Sequence, residues 1–313
     1  MRPYILRRIL LIIPLIWGVV TSVFLVVHLL PGDPAAVLLG PFATGDREAA
    51  LRHMWGLDRP LLVQYGQYLR NIAAGDFGTS LLTGQPAASQ ILSLLPYTVV
   101  LGVGALLIAV GAGIPLGIAA AVRSGTAVDR LSLLASLLLI STPSFLVGIV
   151  LLIVFSGRLG WLPAIGAGTF ARPGSIVSHV VLPALALSAG LLAYLTRITR
   201  TTLLSVLRED YVKTARAKGL AGRVIVLVHA LRNAMLPVLS ILGLATGDVV
   251  GGAVVIETVF ARPGVGSLLV NSVTGRDYVQ VQACVIVLAA SFVIMNLVTD
   301  LCYAAADPRI QYR

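Results

Sequence analysis

The chain has 313 residues, of which 58% are hydrophobic, 12% charged and 6% aromatic, and it carries a net charge of +10. Soluble domains are about a quarter charged, so this composition, with a mean hydropathy of +0.95, excludes a soluble globular protein. The apolar excess also excludes disorder. In a soluble chain a pI near 10.2 would suggest a nucleic-acid partner, but in a membrane chain the same excess can collect on one side of the bilayer.

A bilayer core about 30 Å thick needs roughly 20 apolar residues per helix, and six stretches qualify: 9–30, 97–122, 131–157, 176–196, 233–256 and 278–299. The first follows Arg2, Arg7 and Arg8 as a signal peptide would. Its apolar run is too long for one, and no small-residue cleavage site precedes Pro31, so it reads as an uncleaved anchor. Cys284 and Cys302 both lie in the last apolar helix, too far apart to pair, and imply neither a disulfide framework nor a metal cluster.

Orientation follows from the basic residues flanking the spans. One face, comprising the N-terminus, residues 123–130, residues 197–232 and the C-terminal tail, holds fifteen basic and five acidic residues. The other holds eight basic and seven acidic residues, and Asp248 lies within a span. Both termini are therefore expected in the cytoplasm. The long segment 31–96 is then extracytoplasmic. In it Asp58 and Pro60 open an amphipathic helix with Leu61, Leu62, Tyr65, Leu69 and Ile72 on one stripe, ended by Gly75. Such a helix suits the membrane surface or the flank of other helices. A shorter helix over 48–55 is expected before it.

The cytoplasmic loop 197–232 carries eight basic residues, including Lys213 and Lys218, the two lysines of the whole chain. The run Asp210-Tyr211-Val212-Lys213-Thr214-Ala215-Arg216-Ala217-Lys218-Gly219 predicts a short helix capped by Asp210. Arg216 and Lys218 sit at its negative end, and Gly219 supplies a left-handed stop. On charge alone, a solvated loop held near the membrane stands beside this reading.

Resemblance separates the two. Lys213-Thr214-Ala215 with Gly219, followed by Leu236-Pro237, resembles the EAA loop of permease subunits of ABC importers. Lys213 and Thr214 stand where that family usually has Glu and Ala, as is typical of its dipeptide/oligopeptide/nickel branch. Pro31-Gly32-Asp33-Pro34, Gly75-Asp76-Phe77-Gly78-Thr79-Ser80, Leu95-Pro96-Tyr97-Thr98 and Thr142-Pro143-Ser144-Phe145 follow the same pattern in order. So do Leu159-Gly160-Trp161-Leu162-Pro163, Glu257-Thr258-Val259-Phe260, Pro263-Gly264-Val265-Gly266, Arg276-Asp277-Tyr278 and Asp307-Pro308-Arg309. Over nearly the whole chain the sequence resembles the B-type permease of that branch. Val279, where the family usually has Pro, departs from it.

The resemblance implies an all-α, six-span type I ABC importer permease fold in a bacterial cell membrane. An N-terminal cytoplasmic tail and the first span (1–30) precede an extracytoplasmic insertion (31–96), and a five-helix core (97–313) contains the coupling loop. It implies that Tyr211, Lys213, Thr214, Ala215, Arg216, Ala217, Lys218 and Gly219 couple to an ATPase. It also implies a homologous second permease, two ATPase subunits holding ATP and Mg, and an extracytoplasmic peptide-binding protein, with dipeptides or short oligopeptides as substrate.

The chain's own residues point the same way. Its nearest approach to a P-loop, residues 40–47, ends in Asp46-Arg47 where phosphate binding needs Lys-Ser/Thr. A gradient-driven secondary transporter of peptides or other small solutes, the alternative, calls for paired ionisable residues inside spans. His28 and His179 lie near span ends, which leaves Asp248. It sits among Gly243, Gly247 and Gly251, a small-residue face suited to close helix packing. Asp248 has two readings, a residue of the translocation path or a partnered structural acid, and Ser144 joins it as an expected path residue. Ser141, Ser144 and Ser188 lack a histidine base at motif spacing, so no catalytic residue, metal site or cofactor is expected in this chain. Pro143 and Pro237 invite kinks.

Overall fold

Each apolar stretch becomes helical because a chain in hydrocarbon must satisfy its backbone hydrogen bonds internally. A computed structural model describes residues 2–29, 45, 46, 49, 52, 53 and 58–306. Among them no strand occurs, and an isolated bridge joins Thr79 and Pro86. The helices are α1 (Arg2–Leu29), α2 (Leu61–Ala73), α3 (Ala87–Val122), α4 (Ala127–Ser141), α5 (Ser144–Leu151), α6 (Pro173–Val206), α7 (Asp210–Ala217), α8 (Leu231–Val259), α9 (Val265–Thr274) and α10 (Tyr278–Ala306). The Pro31-Gly32-Asp33-Pro34 turn and the Asp307-Pro308-Arg309 motif lie outside the described residues. So do most of the expected 48–55 helix and of the 40–47 run.

Four helices contain unbroken spans: Leu10–Leu29, Ala87–Val122, Pro173–Val206 and Tyr278–Val298. The remaining two expected spans fall on bent helix pairs, which brings the total among the described residues to six where each pair counts as one span. Residues 131–157, expected as one span, require correction. They fall on α4 and α5, and the pair Ala127–Ser141 and Ser144–Arg158 bends by 107°. The cause is local: Thr142 and Pro143 are both extended, with ψ of 123° and 139°. Proline disfavours a helical residue before it and removes a backbone donor, so the helix stops and restarts. After Leu151 the chain continues as a π-helix, Leu152–Arg158. The fifth span bends by 46° where Gly222–Met235 meets Pro237–Gly243, again at a proline.

The chain divides into two compact units, one from Tyr97–Pro263 with Phe292–Arg313, the other from Arg2–Pro96 with Gly264–Ser291. Residues 264–291 belong to the second of these units. In the first unit α6 is the central rod. Leu182, Ala186, Leu187, Leu191 and Leu195 are buried together with Leu101, Ala105 and Ala109 of α3 and Val249, Ala253 and Ile256 of α8. α3 and α6 approach backbone to backbone. A Cβ on Gly113 would lie 2.8 Å from the Leu192 carbonyl oxygen, and one on Gly117 would lie 2.6 Å from that of Thr196. Thr196 Oγ1 donates across this contact to the Gly113 carbonyl at 3.2 Å. Small residues permit such an approach, and a hydroxyl then bridges the helices.

In the second unit α2 forms where its stripe predicts, and Gly75 follows it at φ +78°. The helix docks on α1: Tyr65 and Thr21 share a hydroxyl hydrogen bond of 2.7 Å, and Phe24 packs its ring against Tyr65 and Tyr68. Burial pushes the Tyr68 phenol up to about 12, since the charged form is poorly solvated there. A second core of Ala87, Ile91, Val265, Ala283 and Cys284 completes this unit.

Candidate functional site

α7 is polar, short and held by a narrow apolar face. Val212 and Ala215, three residues apart and hence on one side, are buried against Ile225 with Leu207 beside them. The other residues expected at this site, Tyr211, Lys213, Thr214, Arg216, Ala217, Lys218 and Gly219, are exposed. The buried position of Ala215 means that it seats the helix and does not face outward. Val212, which the sequence reading passed over, is the deeper anchor at 0% exposure.

The ends of α7 follow the predicted chemistry with one correction. Glu209, not Asp210, occupies the N-cap position, and no side chain caps the helix. Asp210 lies in the first turn, where its charge complements the helix dipole, and it accepts a 2.8 Å bond from Lys213 Nζ. Both side chains are exposed, so this pair contributes little stability. At the other end Gly219 adopts φ +78°. Its N–H donates to the Arg216 carbonyl, and the Leu220 N–H donates to that of Ala215. This is a Schellman stop, and the left-handed glycine makes it possible.

Two further contacts set α7 on its neighbours. Asn233 Nδ2 donates to the Tyr211 hydroxyl oxygen at 2.9 Å, and that hydroxyl donates to the His229 carbonyl at 3.5 Å. Between α7 and α8 the chain runs through Gly222–Val224 and a π-helical stretch, Ile225–Ala230. Beside α7 a groove of about 540 Å³ opens, with Arg200, Arg208, Glu209 and Asp210 in its wall.

The opposite ends of α3, α6 and α8 carry a buried polar cluster that sequence reasoning missed. Glu257 and Arg262 are 0% and 1% exposed. Thr98 donates to Glu257 at 2.6 Å, and Arg262 donates to the carbonyls of His179 and Tyr97, both at 3.5 Å. Burial pushes the Arg262 guanidinium below its ordinary value, and the nearby Glu257 opposes that shift. Arg262 is turned inward by Ala261, which takes φ +42° after α8 while the Arg262 N–H bonds to the Glu257 carbonyl. The second unit repeats the device. Arg276 at φ +56° aims Asp277 inward, where Asp277 accepts the Ser80 hydroxyl at 2.5 Å and caps α10 through the Gln280 N–H at 3.1 Å.

The other expected residues do not converge on α7. Asp248 is exposed on α8, and Ser144 is half-buried at the start of α5. Of the three glycines around Asp248, Gly247 meets the Phe292 ring, which a Cβ there would overlap, whereas around Gly251 nothing lies within 4 Å of that position. Gly243 is half-buried on α8. Among the described residues no group of three or more His, Cys, Asp or Glu is placed to hold a metal.

Comparison with known proteins is consistent with this architecture. Residues 113–312 match the family described as binding-protein-dependent transport system inner membrane component, and residues 1–102 match its N-terminal counterpart. The chain is 43% identical over 310 residues to the glutathione transport system permease protein GsiC of Salmonella paratyphi A, covering 99% of each. The protein of that name from Escherichia coli K12 is equally similar, 43% identical over 310 residues and 99% of both chains. Among solved structures, the fold is similar to a chain of the MetNI methionine ABC transporter in an inward-facing conformation. The TM-score is 0.53 at 16% identity, over 69% of this chain and 96% of that one. The chain therefore belongs to the inner-membrane components of binding-protein-dependent transport systems, as a multi-pass ABC importer permease of the dipeptide/oligopeptide/nickel branch.

Proposed function

We propose that this chain forms half of the translocation pathway of an ATP-driven importer of dipeptides or short oligopeptides, and that α7 is its coupling helix. The single observation that carries this reading is the construction of α7. Seven exposed residues from Tyr211 to Gly219 are presented on a helix and its C-terminal stop, seated by Val212 and Ala215. A helix with no energy-converting chemistry of its own, fixed beneath and free above, is suited to receive a partner's motion. The similarity to GsiC, a glutathione transport system permease, supports a peptide-like substrate, because glutathione is a tripeptide.

In this reading a homologous permease supplies the other half of the pathway, and two ATPase subunits bind ATP and Mg. An extracytoplasmic binding protein delivers the peptide, and both termini lie in the cytoplasm with the basic loop. Closure of the ATPases on ATP draws the two coupling helices together and favours the outward-open state. Hydrolysis releases them and restores the inward-open state. ATP drives the cycle only through contacts that differ between those states, and the exposed face of α7 supplies this chain's share. Asp248 belongs to the pathway or to the contact with the second permease, because an exposed acid on a spanning helix costs at least about 2.5 kcal/mol against lipid. Ser144 lies at the α4–α5 break on the same pathway.

Reconstitution in proteoliposomes tests the proposal. ATP-dependent glutathione or dipeptide uptake that needs the ATPase subunits and the binding protein is expected. Uptake by this chain alone, driven by a proton gradient, would establish a secondary transporter instead.

A further inference from the structure

α4 begins beside the cytoplasmic loop of the proposed orientation, and its first turn contains Asp129, the one acid of that helix. The Asp129 carboxylate is held from three directions. Arg200 of α6 donates from Nε to one oxygen and from Nη2 to the other at 2.9 Å, and the Gly125 N–H donates at 2.9 Å. The Asp129 side chain is 5% exposed and that of Arg200 is 19% exposed. Their neighbours Arg130 and Arg197 are exposed, so one arginine of the region has been drawn inward to one acid. A two-pronged guanidinium–carboxylate contact fixes direction as well as distance.

The position of Arg200 gives this contact a mechanical meaning. Arg200 lies within the last two turns of α6, which runs unbroken to Val206, and α7 starts at Asp210. Its side chain also lines the groove beside α7, together with Glu209 and Asp210. A displacement of α7 that travels back along the chain passes through these turns of α6. The first side chain there with a forked bond to another helix is Arg200. α4 in turn leads to the Thr142–Pro143 break, where the chain bends by 107°.

We infer that the Asp129–Arg200 pair is a positioning strut that stays closed through the transport cycle and makes α4 move with α7 as one body. The inference rests on the assignment of α7 as the coupling helix. It adds a transmission route that begins inside this chain.

The test uses the assembled complex with Cys284→Ala and Cys302→Ala as background. Spin labels go on Arg223→Cys, in the turn after α7, and on Leu138→Cys, exposed on α4. Distances are read by double electron–electron resonance in the nucleotide-free and ATP–vanadate states. With the pair intact, the distance is expected to be the same in both states with a single narrow distribution. In Asp129→Asn the distribution is expected to broaden at least twofold and to shift between the two states, with Arg200→Lys, which keeps the charge and loses the fork, intermediate.

A state-dependent distance in the intact complex would overturn the strut, as would an Asp129→Asn distribution indistinguishable from it. Failure of both variants to assemble would also overturn it, because the pair would then be a folding requirement. ATP-dependent uptake by a Gly219→Asp complex, measured beside the intact one, separates the two levels. If that variant transports as the intact complex does, the coupling role of α7 fails, while the nucleotide-free distributions still decide whether the pair positions α4.

Discussion

The side chain of Asn233 lies 2.9 Å from the hydroxyl of Tyr211, so the first turn of α8 holds the first turn of α7 directly. Tyr211 is also 42% exposed. One residue therefore contributes to the outer surface of α7 and to its attachment. The remaining attachment is apolar and runs through Val212 and Ala215.

That division predicts opposite consequences for adjacent residues. Val212→Asp buries an unpaired charge among Ile225, Leu207 and Ala215, and α7 is expected to detach from its seat. Lys213→Asp alters only the exposed face. In the purified subunit, limited proteolysis should cleave 207–222 at least tenfold faster in Val212→Asp, and Lys213→Asp should match the parent. Equal cleavage in both variants would count against the buried seating of α7.

Gly219 separates backbone from surface effects. Its φ of +78° is costly for a side-chain-bearing residue, by about 1 kcal/mol or more, whereas nothing lies within 4 Å of the Cβ that a substitution would add. Asn tolerates this conformation better than Ala or Asp. Transport by Gly219→Asn should therefore exceed that of Gly219→Ala. Gly219→Asp should be the weakest, since it also adds an acid to a basic surface. Uptake assays on membranes with matched subunit levels check this order.

The contact of α3 with α6 sets the strongest stability prediction. A side chain at Gly117 would meet the Thr196 carbonyl at 2.6 Å and Thr199 Cβ at 2.7 Å, and backbone cannot move aside as a flexible side chain can. Gly117→Leu should lower stability by at least about 1–3 kcal/mol, the range for overpacked cores. Thermal melting in detergent should show the drop, while Gly111→Leu, with open space around it, should melt near the parent.

Glu257 and Arg262 predict an asymmetric pair of variants. Glu257→Gln leaves Arg262 buried without the acid that offsets its desolvation, and removing one partner of a buried charge pair costs on the order of 3 kcal/mol. The double variant Glu257→Gln with Arg262→Met removes both charges and should recover part of that loss. Melting temperatures of the two proteins check the order.

The sequence is most legible where one periodicity or one residue type decides the outcome. Four of the six apolar stretches, the stripe of α2 with its end at Gly75 and the left-handed stop at Gly219 appear as the residues predict. The break at Pro143 is visible as a kink but not as a 107° turn, because the angle depends on Thr142 also becoming extended. The inward turns of Arg262 and Asp277 leave no such trace. Each depends on a non-glycine residue, Ala261 or Arg276, held at positive φ by tertiary structure, and sequence offers glycine as the signal for that conformation. Likewise Gly243, Gly247 and Gly251 form an evident small-residue face, yet the backbone-to-backbone contact is at Gly113 and Gly117. Which small-residue face meets another helix is decided by the neighbour. In α7, charge pattern locates the helix, but only packing distinguishes Val212 and Ala215 from the exposed residues.

The most direct test of the central claim is a cysteine cross-link from the exposed face of α7. Ala217→Cys in the assembled complex should cross-link to an ATPase subunit through a short bifunctional reagent, with a yield that changes between nucleotide-free and ATP–vanadate states. Val212→Cys, buried at 0% exposure, should give at most a tenth of that yield. A cross-link absent at Ala217 in every state, in a complex that hydrolyses ATP and transports, would contradict the assignment of α7 as the coupling helix.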